Sequence, residues 1–278
     1  MDARTTDLLK TVYATLNYLV RDGQRPFAYT YPPPEGVPQR SAAVDAVSGV
    51  AIRDARPLSG DLSLAEQGFE LVSSPTAVTD FYDPAQIRDI YDAEIDRLLK
   101  ASTGAEKVVI FDHTIRSVPR HRAGVPGMRE PVRRVHNDYT AKSGLRRVRD
   151  HLPPDEAEAR LRRPFYEVNV WRPIAGPLED APLAVCDART IASDDLIASD
   201  LIYPDRVGET YSVAYNPAHR WFYFPRLAAH EAILIKCFDS DESSPGRFTA
   251  HTAFDDPTTP ATAKPRESIE TRALVFFS

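Results

Sequence analysis

The chain has 278 residues, 42% of them hydrophobic and 27% charged, and carries a net charge of −6. This composition excludes a disordered or fibrous chain, and the acidic balance supplies no global field for nucleic acid or an anionic membrane surface. Cys186 and Cys237 stand far apart, which excludes a dense disulfide scaffold and a C-x-x-C site and suits a reducing compartment. MDARTTDLLK at the N-terminus lacks the apolar core of a signal peptide, and no apolar run has the length to cross a bilayer, so a cytoplasmic location is expected.

In chain order, residues 12–20 (VYATLNYLV) and 50–53 predict strands, with YPPPEGVPQR (31–40) as a loop between them. Asp83-Pro84 opens the clearest helix, 84–102. Its apolar Ile87, Ile90, Tyr91, Ile95, Leu98 and Leu99 recur every three or four residues, and Pro84 sits in the first turn, where proline is tolerated. VVIFDHTIR (108–116) predicts a strong strand. Further strands are predicted at 132–140, 164–173, 182–190, 210–216, 220–226, 231–240 and 271–278, interrupted by one charged helix at 153–163. Short strands at fairly even spacing, without alternating helices, point to an antiparallel double sheet. The expected fold is therefore mainly β with flanking helices, a jelly roll of cupin-like form. It is expected as one domain over 1–278, residues 1–105 supplying strands and a helix that pack on a 106–278 core. The basic runs at 122–134 and 145–163 are interleaved with acids and prolines and read as solvated faces, with no nucleic-acid role.

The stretch VRRVHNDYT (132–140) places His136 and Asp138 two apart, so a strand would aim both the same way. Seven histidines and 40 acids give about one H-x-[DE] by chance, so the pair needs a third ligand from a distant strand. Non-haem Fe(II) oxygenases use two histidines and one carboxylate and leave positions open. His230 and His251 are the two downstream candidates. HEAIL (230–234) has Leu234 where H-E-x-x-H needs a histidine, so His230 reads better as the edge of a core strand. After His251 comes RESIETRALVFF (266–277). There Arg266, Ser268, Glu270 and Arg272 share one face, while Ile269, Thr271 and Ala273 share the other. An arginine fork beside a serine hydroxyl suits a small dicarboxylate, and an exposed Arg/Glu ladder is the alternative. The run Trp221-Phe222-Tyr223-Phe224 reads as core or pocket wall.

The pieces FDHTIR (111–116), VHNDYT (135–140), NVWRPIAGP (169–177), PLAVCDAR (182–189), WFYFPR (221–226), KCFDSDE (236–242), HTAFDDP (251–257) and RESIETRALVFF together resemble one family over roughly residues 10–278. It is the AsaB-like hydroxylase and desaturase family, which includes the cephamycin 7α-methoxylation oxygenase subunit and the fungal gibberellin desaturase. The resemblance implies a double-stranded β-helix. It also implies an Fe(II)- and 2-oxoglutarate-dependent hydroxylation or desaturation of a small molecule, often in secondary metabolism, with release of succinate and carbon dioxide. By the same resemblance His136, Asp138 and His251 match the iron ligands, and Arg266 with Ser268 matches the co-substrate clamp. Arg272 resembles a second arginine near that end of the site and is a further candidate for the co-substrate clamp, with a substrate acid or a pair with Glu270 as alternatives. Asn169 and Arg172 are candidate substrate residues, though three apart they face opposite sides of a straight strand, and His113 and Arg116 match a motif of open role. The partners expected are a small-molecule substrate and dioxygen, with a homo-oligomer or a pathway enzyme as a further possibility. Two rivals stay open: a cupin-like Zn or Mn hydrolase or isomerase, and a non-catalytic partner of a pathway enzyme.

Overall fold

Period-two alternation organises this chain. The computed structural model, which describes residues 9–278, is built on fourteen strands in two sheets. Residues 1–8, and with them part of the expectation for the N-terminal segment, lie outside the described residues. The strands are β1 (Thr11–Leu19), β2 (Phe27–Tyr29), β3 (Val44–Asp54), β4 (Phe69–Ser73), β5 (Lys107–Ser117), β6 (His136–Asn137), β7 (Phe165–Pro173), β8 (Leu183–Cys186), β9 (Leu196–Ile202), β10 (Val207–Val213), β11 (Trp221–Tyr223), β12 (Glu231–Asp239), β13 (His251–Ala253) and β14 (Glu267–Phe276). One sheet has the order β1-β3-β11-β8-β13-β6-β10-β9-β2 and the other β4-β12-β7-β14-β5. Pairing is antiparallel except β3–β11 and β2–β9, which gives the jelly-roll double sheet that the strand spacing predicts.

The five-stranded sheet sorts its residues by face. Val168, Val170, Ile269 and Ala273 pack with Tyr91, Ile95 and Leu99 of the helical segment 84–103. That segment opens with Pro84–Gln86, capped by the Asp83 carboxylate on the Ala85 N–H at 2.9 Å, and passes through a π turn, Ile87–Tyr91. It then becomes α1 (Asp92–Thr103) and stops at left-handed Gly104, φ 73°. The opposite face, with Trp171 and Leu274, meets Val185 and Phe222 of the larger sheet, and Phe224 just beyond β11, in the main core. Trp221 and Tyr223 point to the far side of that larger sheet, so the aromatic run is split between two cores.

The helices are α1, α2 (Val118–Arg122), α3 (Ala141–His151) and α4 (Pro154–Arg160). The predicted strand at 132–140 is corrected to the two residues His136–Asn137, and α3 follows as a helix outside the predicted set. Thr140 caps the helix through the Lys142 and Ser143 N–H groups, and the Ser143 hydroxyl answers the Thr140 N–H. Gly144 lets α3 lie against the sheet, because a Cβ there would meet the Phe238 ring at 2.7 Å. Strands β2, β4, β9 and β13 also lie outside the predicted set. β2 and β13 have three residues each, too few for alternation to register. No helix among the described residues is long and apolar enough to cross a membrane.

Candidate metal centre

The switch from β6 to α3 within three residues is what exposes Asp138. Val135 is pinned to β1 by its N–H on the Asn17 carbonyl, and Asn137 turns away to donate to the carbonyls of Tyr139 and Cys237. His136 and Asp138 are left on the same side, Nε2 and Oδ1 3.5 Å apart. β13 lies against β6 with His251 directly opposite His136, and the two rings stand 4.4 Å apart. One ligand atom from each of the three residues falls within 4.8 Å of the others.

The second nitrogens fix how these rings face. His136 Nδ1 bonds the Arg134 carbonyl at 2.8 Å, and His251 Nδ1 bonds the Thr249 carbonyl at 3.2 Å. A carbonyl only accepts, so each Nδ1 carries the proton and each Nε2 presents a lone pair. His251 Nε2 is buried and has no partner among the described residues. Leaving such a group unsatisfied costs about 1–3 kcal/mol, which ligation would remove. Burial, with the neighbouring His251, pushes His136 down to about 3, so its imidazole is neutral at neutral pH. Burial pushes the Asp138 carboxyl up, but Arg272 and the two histidines, with a hydrogen bond from Asn169, outweigh it and hold the group below the usual carboxylate range. Two imidazoles and one carboxylate on one side of a small space fit a divalent transition metal.

Strand register builds the rest of the site. Arg272 lies opposite Asn169 of β7 and Asp112 of β5; Ser268 lies opposite Arg116. Arg272 donates to Asp138 Oδ2 at 2.9 Å and to Thr114 at 3.0 Å, and it forms ion pairs with Asp112 and Glu270. Arg266 is 2% exposed and has quite different company: the Ser268 hydroxyl at 3.0 Å, the Ala181 carbonyl at 2.9 Å and the Trp171 ring at 4.8 Å. Among the described residues no carboxylate pairs with its guanidinium. Asp180 accepts only from its backbone N–H, at 3.1 Å. Burial, with the nearby charge of Arg116, pushes Arg266 down to about 9.

A family model described as "Oxidoreductase/YMDC permease-like domain" matches residues 16–276. The chain is 35% identical to "Fe(II)/2-oxoglutarate-dependent dioxygenase nvfI" of Aspergillus novofumigatus, over 82% of each protein. It is 32% identical to "Hydroxylase/desaturase efuI" of Hormonema carpetanum, over 82% of this chain and 83% of that one. The chain belongs to this family of Fe(II)/2-oxoglutarate-dependent oxygenases. A solved structure of the "iron and alpha-ketoglutarate-dependent endoperoxidase NvfI" superposes with a TM-score of 0.86 at 29% identity, covering 96% of this chain and 98% of that one. The protein is accordingly an oxygenase that uses Fe(II), 2-oxoglutarate, dioxygen and a small-molecule substrate, and the hydrolase and non-catalytic readings fall away.

The remaining predicted residues of this oxygenase lie elsewhere or take other partners. Arg172 and Asn169, the two candidate substrate residues, do not share a face. Arg172 leaves β7 on the side opposite Asn169, toward the helical segment, with its guanidinium beside the Phe81 and Tyr91 rings and bonded to the Ala229 carbonyl and Ser74. His113 is on that same outer face, where it bridges Thr271 at 2.9 Å and Asp92 at 2.8 Å and ties α1 to the sheet. His230 is exposed in a turn. Arg116 is on the inner face and donates to the Glu130 carbonyl at 2.8 Å. Two inner-face acids escaped the sequence reading. Asp112 sits in FDHTIR, and its alternation with Thr114 and Arg116 was the available signal. Glu167 is fully buried, with both carboxyl oxygens unpartnered. Burial pushes it well above the usual carboxylate range, and nothing in its sequence context sets it apart from a surface glutamate.

Proposed function

We propose that His136, Asp138 and His251 hold the iron, and that Arg266 with Ser268 holds the distal carboxylate of 2-oxoglutarate. On this reading the protein hydroxylates or desaturates a C–H bond of a small molecule, of the secondary-metabolite kind that its relatives' names indicate. The observation that carries it is Arg266. A buried guanidinium bonded only to neutral oxygens is a costly arrangement, and an anion entering beside Ser268 relieves it. The two Nδ1–carbonyl bonds keep both Nε2 lone pairs directed into the site, so little reorganises on ligation. Bound iron supplies the activation of dioxygen, while 2-oxoglutarate is converted to succinate and carbon dioxide. The chain's own contribution is to orient the ligands, fix the co-substrate by its far end and exclude bulk water with the Trp171 and Val185 wall.

The same reading takes residues 1–278 as one oxygenase domain, supported by β1 and β3 belonging to the sheet that carries β6 and β13. A cytoplasmic location fits its two buried free thiols. The test is an anaerobic titration of the protein with Fe(II) and 2-oxoglutarate, followed by visible absorption. A charge-transfer band that needs both components, and is lost in His251→Ala, supports the ligand set. Stoichiometric metal binding without that band would overturn the co-substrate assignment.

A further inference from the structure

The two oxygens of Asp138 keep different company. Oδ2 accepts from Asn169 Nδ2 at 2.8 Å and from Arg272 Nε at 2.9 Å, whereas Oδ1 lies 3.5 Å from His136 Nε2. We propose that Arg272 and Asn169 are positioning residues, which tie down one oxygen of Asp138 so that only the other faces the metal. This rests on the ligand set proposed above, and it moves Arg272 from the co-substrate clamp, and Asn169 from substrate contact, to the support of an iron ligand.

Three features of the fold converge on it. Arg272 and Asn169 are direct partners in the β14–β7 register, so both side chains leave the same face and meet at one atom. Arg272 is itself held: Asp112, Thr114, Glu270 and Asp138 occupy four of its five N–H groups, so its fork is committed to these four and turning toward a co-substrate would break bonds already made. Asn169 makes the same choice more weakly, since its amide nitrogen is on Asp138 while its Oδ1 has no partner. A carboxylate with one oxygen anchored by two donors must break both bonds to present both oxygens. Single-oxygen ligation keeps coordination positions open, as a keto acid and dioxygen require. Three carboxylates around one guanidinium also leave an excess of negative charge beside the two imidazoles, where a divalent cation would sit.

Anaerobic Co(II) titration of the whole chain, with 2-oxoglutarate binding then measured on Co(II)-saturated protein, tests this. Arg272→Gln should lower Co(II) affinity by about 10–100-fold and Asn169→Ala by less, the usual cost of removing a group that supports a ligand. The visible Co(II) bands should weaken in both variants as the freed carboxylate takes up a second bond. Binding of 2-oxoglutarate should stay within about twofold of wild type. Unchanged Co(II) affinity and bands in Arg272→Gln, with weakened 2-oxoglutarate binding, would restore Arg272 to the clamp and overturn the proposal. If Arg272→Gln loses its cooperative melt, Asn169→Ala decides alone, and wild-type affinity and bands in that variant overturn it. Co(II) binding that is indifferent to Asp138→Ala overturns the ligand set itself, a result distinct from binding that needs Asp138 but ignores its two supports.

Discussion

Arg266, one residue ahead of β14, and Arg272 within it share the inner side of the sheet, yet the structure treats them as opposites. Arg272 is surrounded by Asp112, Asp138 and Glu270; burial alone would lower it, and those acids hold it well above the usual arginine range. Arg266 is more deeply buried, is met only by a hydroxyl, a carbonyl and an aromatic ring, and is pushed down to about 9. The first is a closed structural unit with negative charge to spare, suited to a metal. The second is an open one that lacks an anion. Strand alternation puts both arginines on the inner face, and only their partners say which is waiting for a ligand.

The hardest test of this contrast is Asp138→Ala. It removes a ligand, and turnover measured as succinate formation should fall below detection. The fold should persist, because Arg272 keeps two acids; substantial 2-oxoglutarate decarboxylation by this variant would take Asp138 out of the ligand set. Next is Arg266→Met. Charge-assisted bonds to a carboxylate are worth about 1.5–3 kcal/mol, so the 2-oxoglutarate requirement should rise roughly 10–150-fold. The apo-protein should melt no lower than wild type, since a buried cation without a counter-charge has been removed. Arg272→Met should behave the other way, melting lower because three acids lose their cation. A lower Tm for Arg266→Met than for Arg272→Met would break the comparison. A smaller effect is expected at Arg172→Met, on the outer face: 2-oxoglutarate affinity within about twofold of wild type, by the same titration.

Much of this was legible in the sequence where side chains obey a simple period. The polar face of 266–272, the apolar face of 84–102 and the shared side of His136 and Asp138 all follow from spacing. Partner identity was not legible. Arg172 and Asn169 share the NVWRP run, and nothing in it says that Asn169 meets Asp138 while Arg172 meets the Phe81 and Tyr91 rings. The helix at 141–151 was hidden because its buried side is built from Ser143, Gly144 and Val148, too small and mixed to register as an apolar stripe. Asp112 was overlooked beside His113, whose chemistry is more conspicuous and whose side chain points the wrong way.

Glu167 extends the same comparison to an acid. It is as buried as Arg266 and equally without a charged partner, but among the described residues no hydrogen-bond donor comes to its oxygens, and burial pushes it well above the usual carboxylate range. In the unfolded chain the group ionises near its ordinary value of about 4.3, whereas in the folded protein it keeps its proton to a higher pH. The folded state therefore binds more protons above that value, and stability is lost as pH rises from the unfolded toward the folded pKa. Glu167→Gln keeps the shape and abolishes the titration. Its Tm should match wild type near pH 4 and exceed it increasingly from pH 5 to 8, by about 2–4 °C for each kcal/mol relieved. A constant difference across that range would mean that Glu167 is ionised in the folded protein and has found a cation, and the distinction between served and unserved buried charges would have to be redrawn around it.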